Sequence, residues 1–430
     1  MRRIYMDYAA TSPVKPEVLK AMMPYFNEKF GNPSSIHSFG RETRNAVEAA
    51  REIVAKFLNC SIGEVIFTSG GTESDNYVIK GVIEAYRISH IADRQNDKPL
   101  AISHKPHLIT SAFEHHAVLD TCKDLEKRGL AEVSYLKPKS DGVIDVKDVE
   151  TAIKSNTVLI TIMYVNNEIG TVQPIREIGK LIEKINLKKQ ETRNNNQSKS
   201  KSQIPNNETM KQWNNRIFFH TDAVQAVEYF NCDTKYLHVD ALSLSAHKFG
   251  GPKGVGVLYL KRGIPVHKQN IGGAQEYNKR AGTENVASII GLAKAIQLLS
   301  EKLKVKSEKL MKLRNYFIDQ VTKKIPNVSL NGSREKRSPN NINLSFKHVE
   351  GESILLNLDL LGIAASSGSA CTSGSLEPSH VLTAMGLPPE VAHGSIRFTI
   401  GEKNTKEEVD FVVKSLEGVI KKLREISPYK

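Results

Sequence analysis

No apolar run in this 430-residue chain approaches the roughly 20 residues that a membrane-spanning helix needs. The opening MRRIYMDYAA is basic but lacks the apolar stretch of a signal peptide, so no secretory leader is expected. Cysteine is scarce: Cys60, Cys122, Cys232 and Cys371 lie far apart, with no C-x-x-C pair. That argues against a disulfide framework or a zinc site and for a reducing cytoplasm, where the protein is expected to reside. Tryptophan occurs once, at Trp213, and no internal repeat is visible. What is present is ordinary: 40% hydrophobic and 25% charged residues, the balance of a soluble globular protein. The length suits a large domain with a smaller one attached.

Acidic residues are the minority, 47 against 60 basic ones, giving a net charge of +13. Such an excess raises the question of nucleic-acid binding. Its distribution answers otherwise. Residues 188–211 carry a net +4 and residues 301–347 a net +8, which together make +12 of the +13. Both stretches lie away from every motif described below, so they are expected to be solvated basic surface, with no direct nucleic-acid binding.

Short β-rich runs alternate with amphipathic helical patterns. Strands are expected at 64–70, 107–113, 157–165, 216–223, 241–247 and 254–260, with helices near 41–58, 73–89, 117–128 and 174–187. Strands spaced by helices imply βα units and a mostly parallel sheet, an α/β fold. From 286 onwards the order changes to a long helix, a strand near 341–346, a helix near 351–361 and a terminal helix near 405–425, which suggests a second domain. Residues 188–215, rich in Asn, Gln, Lys and Ser, cannot bury enough apolar surface to offset their ordering entropy and are expected to be a flexible surface insertion.

Four stretches carry chemistry. TSGGTESDN (68–76) follows a strand and opens a helix, so its free amides can face an anion. Gly71 and Thr72 are the candidates, although Thr72 with Asp75 would also make an ordinary helix cap. SLSAHKFGGPKG (243–254) puts Lys248 at a strand end beside Ser245 and His247, a setting for an amine that carries a carbonyl group covalently. FFHTDAVQA (218–226) places Asp222 at another strand end with Gln225 on the next turn. An acid there can hold a protonated ring nitrogen or simply cap a helix. SSGSACTSGS (366–375) is almost all Ser, Gly and Thr, so Cys371 fills no cavity there and its thiol is expected to be reactive. Cys60 and Cys122 sit in helical patterns and read as small core residues.

Together these stretches resemble the cysteine desulfurases of the NifS/IscS class, within the fold type I pyridoxal-phosphate enzymes. The likeness runs in order through YMDYAATSPV, GNPSSIHSFGR, TSGGTESDN, EHHAVLDTC, VNNEIGTVQPI, HTDAVQ, SLSAHKFGGPKG, RAGTEN, SSGSACTSGSLEPSHVL and SIRFTIG, nearly the whole chain. The resemblance implies a large domain at 15–262 around a mostly parallel seven-stranded sheet. It implies a smaller α+β domain from 1–14 and 263–430, with a mobile cysteine loop at 366–376.

The resemblance also implies roles. Lys248 carries pyridoxal 5'-phosphate, and His115 stacks on its ring and handles protons; His116 is the rival from sequence alone. Asp222 pairs with the ring nitrogen, and Gln225 and Asn167 hold the ring oxygen and the substrate end. Gly71, Thr72, Ser245 and His247 bind the phosphate, joined by Thr283 from the other subunit of a homodimer. Arg397 grips the carboxylate of L-cysteine. Cys371 takes the sulfur as a persulfide, leaving alanine, and passes it to an acceptor such as an iron–sulfur scaffold, or toward tRNA thiolation. No resident metal is implied; Cys371 as a transient iron–sulfur ligand in a scaffold complex is the one metal role left open. Other lyases share this fold, and Cys371 in a long loop favours persulfide transfer over release of free sulfide. A binding-only module would have no need of Lys248 and Cys371. The insertion, and Tyr277 and Asn278 before RAGTEN, depart from the family pattern.

Overall fold

The computed structural model describes residues 3–92, 105–197, 216–300, 303–367 and 377–427. Its strands are β1 (Ile4–Tyr5), β2 (Val65–Thr68), β3 (His107–Ser111), β4 (Glu132–Leu136), β5 (Thr157–Thr161), β6 (Phe218–Asp222), β7 (Ala241–Ser245), β8 (Gly256–Leu260), β9 (Val328–Leu330), β10 (Asn341–Phe346), β11 (Ile363–Ala364) and β12 (Ser395–Thr399). Seven of them form the main sheet in the order β2-β8-β7-β6-β5-β3-β4. Only β8 runs antiparallel to its neighbours.

Every residue of β2, β3, β5, β6, β7 and β8 is buried. That is why TVLIT and its companions read as continuous β-rich runs: helices cover both faces of the sheet. β4, with the sequence EVSYL, lies at the edge and exposes Glu132. Its weak apolar signal hides it from a reading by periodicity. The helix Ser38–Leu58 shows how burial shapes the layers. Val47, Ala50, Val54 and Leu58 recur every three or four residues and face the core, and Asn59 ends the helix in the left-handed conformation (φ 53°). Leu58 is fully buried, so truncating it to alanine costs about 2–5 kcal/mol.

A second core gathers around β10 and β12, with Phe317, Phe346 and Phe398 at its centre. β9, β10 and β12 form an antiparallel sheet, and β1 pairs in parallel with β11, so the start of the chain joins this body. The helix Lys406–Ile426 closes it, its N-terminus fixed by a Thr405/Glu408 capping box.

Core membership does not follow the division at 263. The helix Val286–Ser300 buries Ile289, Leu292, Ala293 and Ile296 in the larger core, and Val381, Leu382 and Ala392 pack there too. The helix Leu303–Lys324 packs instead in the second core, through Leu310, Phe317, Ile318 and Val321. Two further differences from the sequence reading have simple causes. The helix Ile175–Gln197 runs ten residues into the segment read as an irregular insertion, because KKQETR consists mostly of good helix formers. Residues 198–215, with Trp213, lie outside the described residues. The basic stretch at 301–347 is not all solvated either. Arg314 and Arg337 are 2% and 4% exposed and donate mainly to carbonyl oxygens of Asn331, Ser333, Arg337, Ser338 and Asn341, and of the Asn315 side chain.

Candidate active site

The carboxyl ends of β3, β5, β6 and β7 converge where the chain order across the sheet reverses, between β3 and β5. Open α/β sheets bind ligands in the crevice beyond such a point. Lys248 sits there, three residues past β7 at the end of a single 3-10 turn, and its Nζ donates to the carbonyls of Ala9 (2.6 Å) and Ala10 (2.8 Å). Gln225 Nε2 donates to the same Ala9 carbonyl at 3.0 Å. The stretch after β1 therefore holds two candidates at once, a role that the sequence reading missed.

Asp222 ends β6. One of its carboxylate oxygens accepts from Val224 N at 2.8 Å, which closes a turn; no helix starts here for it to cap, since residues 224–229 form turns. Burial pushes its carboxyl up to about 6, against the opposing pull of Val224 N–H and the nearby Lys248 charge. Asp75 stands close by, 1% exposed, and its Oδ1 finds no hydrogen-bond partner among the described residues. Burial, then the charge of Asp222, hold Asp75 well above the carboxylate range. The 3.7 Å approach of His220 Nε2 to Asp75 is no ion pair, because burial lowers His220 to about 3 and keeps it neutral.

His115 follows β3 and caps the helix His116–Lys127, its Nδ1 accepting from Ala117 N at 3.1 Å. The proton of the neutral ring therefore sits on Nε2. Burial, then the charge of Lys248, lower it to about 4. His116, the rival, faces solvent more and pairs with Asp120 at 3.1 Å. Glu114, missed in the sequence, is fully buried; it accepts from Met163 N and Ser111 Oγ, and burial pushes it up to about 8.

Gly71 starts the helix Gly71–Ala92 against β7 and the turn after β6. A Cβ there would lie 2.7 Å from Val224 Cγ2 and 3.9 Å from Ser245 Cβ, so only glycine lets the backbone come this close. Ser245 is buried, whereas Thr72 and Thr283 are exposed. His247 Nδ1 meets Thr11 Oγ1 at 3.2 Å, and burial lowers that ring to about 4. The cap foreseen between Thr72 and Asp75 is made instead by Glu73, which accepts from Ser69 N at 2.7 Å.

Arg397 projects from β12 of the smaller body. It donates to Asn167 O at 2.8 Å and to Asp7 Oδ1 at 3.0 Å. Its Nε and the Oδ1 of Asn167 are both buried without a hydrogen-bond partner among the described residues. Cys371 lies outside the described residues, but both flanks of its loop are anchored at this spot. Ser366 exchanges two backbone hydrogen bonds with Arg397, at 2.7 and 3.1 Å. Ser379 Oγ donates to Glu168, the neighbour of Asn167, and His380 Nε2 meets Glu114 O at 2.9 Å. The motif SLEPSHVL was legible, but its Ser379 and His380 had no assigned role. Among the described residues no cluster of His, Cys, Asp or Glu could hold a metal, and no helix is long and apolar enough to cross a membrane.

Comparison with known proteins fits this geometry. The family model described as aminotransferase class-V matches residues 4–188 and 203–412, its gap falling inside the segment read as an insertion. A protein of Dictyoglomus turgidum named cysteine desulfurase IscS is 50% identical over 100% of this chain and 97% of its own length. One of the same name from Methanosarcina thermophila is 44% identical over 99% and 94%. A solved NifS-like protein superposes with a TM-score of 0.81 at 33% identity, covering 98% of this chain and 100% of that one. Another, described as SspA in complex with cysteine, gives a TM-score of 0.74 at 34% identity, covering 92% and 98%. With a family model spanning nearly all of it and relatives alike from end to end, this chain belongs to the class-V aminotransferase family, among its cysteine desulfurases.

Proposed function

We propose that the protein takes the sulfur of L-cysteine onto Cys371 as a persulfide, leaves L-alanine, and hands the sulfur to an acceptor protein, with pyridoxal 5'-phosphate as its cofactor. The carrying observation is the meeting, at one sheet end, of a lysine, a buried acid, a neutral histidine and a buried arginine with an unused donor.

The residues present fit the cofactor. Asp222 is a buried acid for a cationic ring nitrogen, and Gln225 can exchange the Ala9 carbonyl for the ring oxygen. The helix start at Gly71, with Ser245 and His247, offers short donors to a phosphate, and Thr72 and Thr283 are exposed hydroxyls available to it, the latter from the second subunit of a homodimer. When bound, pyridoxal phosphate supplies an electron sink for negative charge at the substrate α-carbon.

Each side chain then has a task. Lys248, freed from the Ala9 and Ala10 carbonyls, is the amine that moves the α-proton. His115, whose Nδ1 is taken by Ala117 N, has Nε2 for handling protons. Arg397 holds the substrate carboxylate through Nε, with Asn167 beside it, while Asp7 keeps the guanidinium oriented. The thiolate of Cys371 attacks the substrate sulfur. A sulfur–sulfur bond forms, the carbon–sulfur bond breaks, and its electron pair returns to carbon, which takes a proton to become the methyl of alanine. Cys371 is the fifth residue after Ser366, so the chain lets it lie at most about 18 Å from the anchor beside Arg397. The reading is tested by incubating purified protein with L-cysteine. Yellow protein that releases alanine and forms a persulfide lost in Cys371→Ser supports it; a colourless protein that releases no alanine refutes it.

A further inference from the structure

Three consecutive residues with ordinary side chains, Glu276, Tyr277 and Asn278, adopt left-handed backbone angles, with φ of 49°, 55° and 61°. L-residues avoid this conformation, above all in succession, unless surrounding contacts enforce it. The enforcing contact is buried. Arg51, 2% exposed, grips Glu276, 5% exposed, in a bidentate pair at 2.6 and 3.1 Å. Arg51 lies between the rings of Phe67 and Tyr277, 4.7 and 5.0 Å from their centres. Glu276 Oε2, which takes the 2.6 Å bond from Arg51, also accepts from Phe67 N at 3.0 Å, and Arg51 reaches Val65 O at 2.9 Å. Phe67 and Val65 belong to β2, the strand that delivers the turn into Gly71.

The rest of the segment lies along the helix that begins there. Tyr77 OH donates to Lys279 O, and Arg280 grips Glu73 in the first helical turn at 2.8 and 3.2 Å. Glu73 in turn accepts from Ser69 N, inside the turn itself. Residues 276–280 thus form a strap fixed to the strand before the turn and to the helix after it.

We infer that Arg51 and Glu276 are positioning residues: their buried pair locks this strap and thereby sets the Ser69–Thr72 turn for a phosphate group, and the approach of Thr283 to the phosphate of the second subunit. The inference rests on the proposed pyridoxal-phosphate site and adds two residues that touch neither substrate nor cofactor. Their effect belongs to the phosphate end alone, since the strap meets β2 and the helix start rather than Lys248 or Asp222.

The test compares pyridoxal 5'-phosphate with pyridoxal, which lacks the phosphate. Glu276→Gln leaves Arg51 buried without its counter-charge and can impair folding. The double variant Arg51→Met/Glu276→Gln removes both charges, a change that buried pairs often tolerate in stability. The double variant is expected to release pyridoxal phosphate about tenfold faster than wild type, with pyridoxal affinity unchanged within twofold. Release of pyridoxal phosphate within twofold of wild type overturns the inference. An equal loss of pyridoxal affinity also overturns it, because the pair then acts on the whole site. Wild-type protein that binds neither compound refutes the proposed function itself, and the inference with it.

Discussion

The two bodies of this chain both bury charge, but in opposite ways. At the sheet end of the larger one, Asp75, Asp222 and Glu114 are buried acids whose carboxyls burial holds above their ordinary range. In the smaller one, Arg314 and Arg337 are buried cations that burial pulls down, to about 10 and about 9. The arginines are satisfied: carbonyl oxygens of six residues accept their protons. The sheet end is not. Asp75 Oδ1, Asn167 Oδ1 and, across from them, Arg397 Nε have no hydrogen-bond partner among the described residues. Buried polar atoms are nearly always paired, so a cluster of unpaired ones marks a place built for something else, whereas a satisfied charge marks architecture.

The largest effect should come from removing the one amine at the unsatisfied end. Lys248→Ala is expected to lower alanine release at least about a thousandfold and to abolish the cofactor absorbance, read in a spectrophotometer. Turnover by this variant at a tenth of the wild-type rate would break the comparison at its root. Cys371→Ser separates binding from transfer: it should keep cofactor and cysteine binding yet form no persulfide, as mass spectrometry of the trapped protein would report.

A matched pair of arginine changes sharpens the contrast. Arg397→Lys keeps the charge but loses the planar fork, so kcat/KM for cysteine should fall about tenfold to a hundredfold with little change in melting temperature. Arg337→Met strands the carbonyls of Asn331 and Ser333 and should cost about 2–4 kcal/mol in denaturant unfolding, with KM for cysteine unchanged. The reverse pattern would mean that satisfaction does not distinguish function from architecture here.

The last effect is a slope, small at any one pH step. Glu114 has its folded pKa raised by burial to about 8, above the unfolded carboxylate value. Its folded state therefore holds a proton that the unfolded state has released. That contribution is complete below the unfolded pKa and fades as pH rises through the folded one. The cofactor-free protein should lose stability between about pH 5 and pH 8, at up to about 1.4 kcal/mol per pH unit from this group. Half-buried His115 and His247, both lowered to about 4, act in the opposite sense and lose stability as pH falls below about 6.5. Glu114→Gln should make the slope of the upper window shallower, with Asp222 and Glu168 still contributing, and leave the lower one unchanged, as urea unfolding at each pH would report.

Much of this was legible in the residues because the strands are buried on both faces and announce themselves. TVLIT, FFHTD and ALSLS could only be inner strands, and the polar residues at their ends then stand out. What could not be read depends on contacts between distant segments. Nothing near Ala9 says that its carbonyl meets Lys248, and nothing in QEYN says that Glu276 is buried under Arg51. β4 was hidden by its polar edge, and the end of the helix Ile175–Gln197 by a composition that suits helix and disorder alike. That the helix Val286–Ser300 packs in the larger core was not legible either, because it is apolar on most of its surface and periodicity does not say which core claims it.

The pairing of β1 with β11 has a consequence in time. Ile4 leaves the ribosome long before Ile363, and the segment just after β1 supplies the carbonyls that hold Lys248. The large sheet can assemble while the chain is still growing, but its site stays unfinished until the far strand has been made. Acquisition of the cofactor should therefore be a late event, following completion of the polypeptide, and slowed by the long loop that this pairing must close.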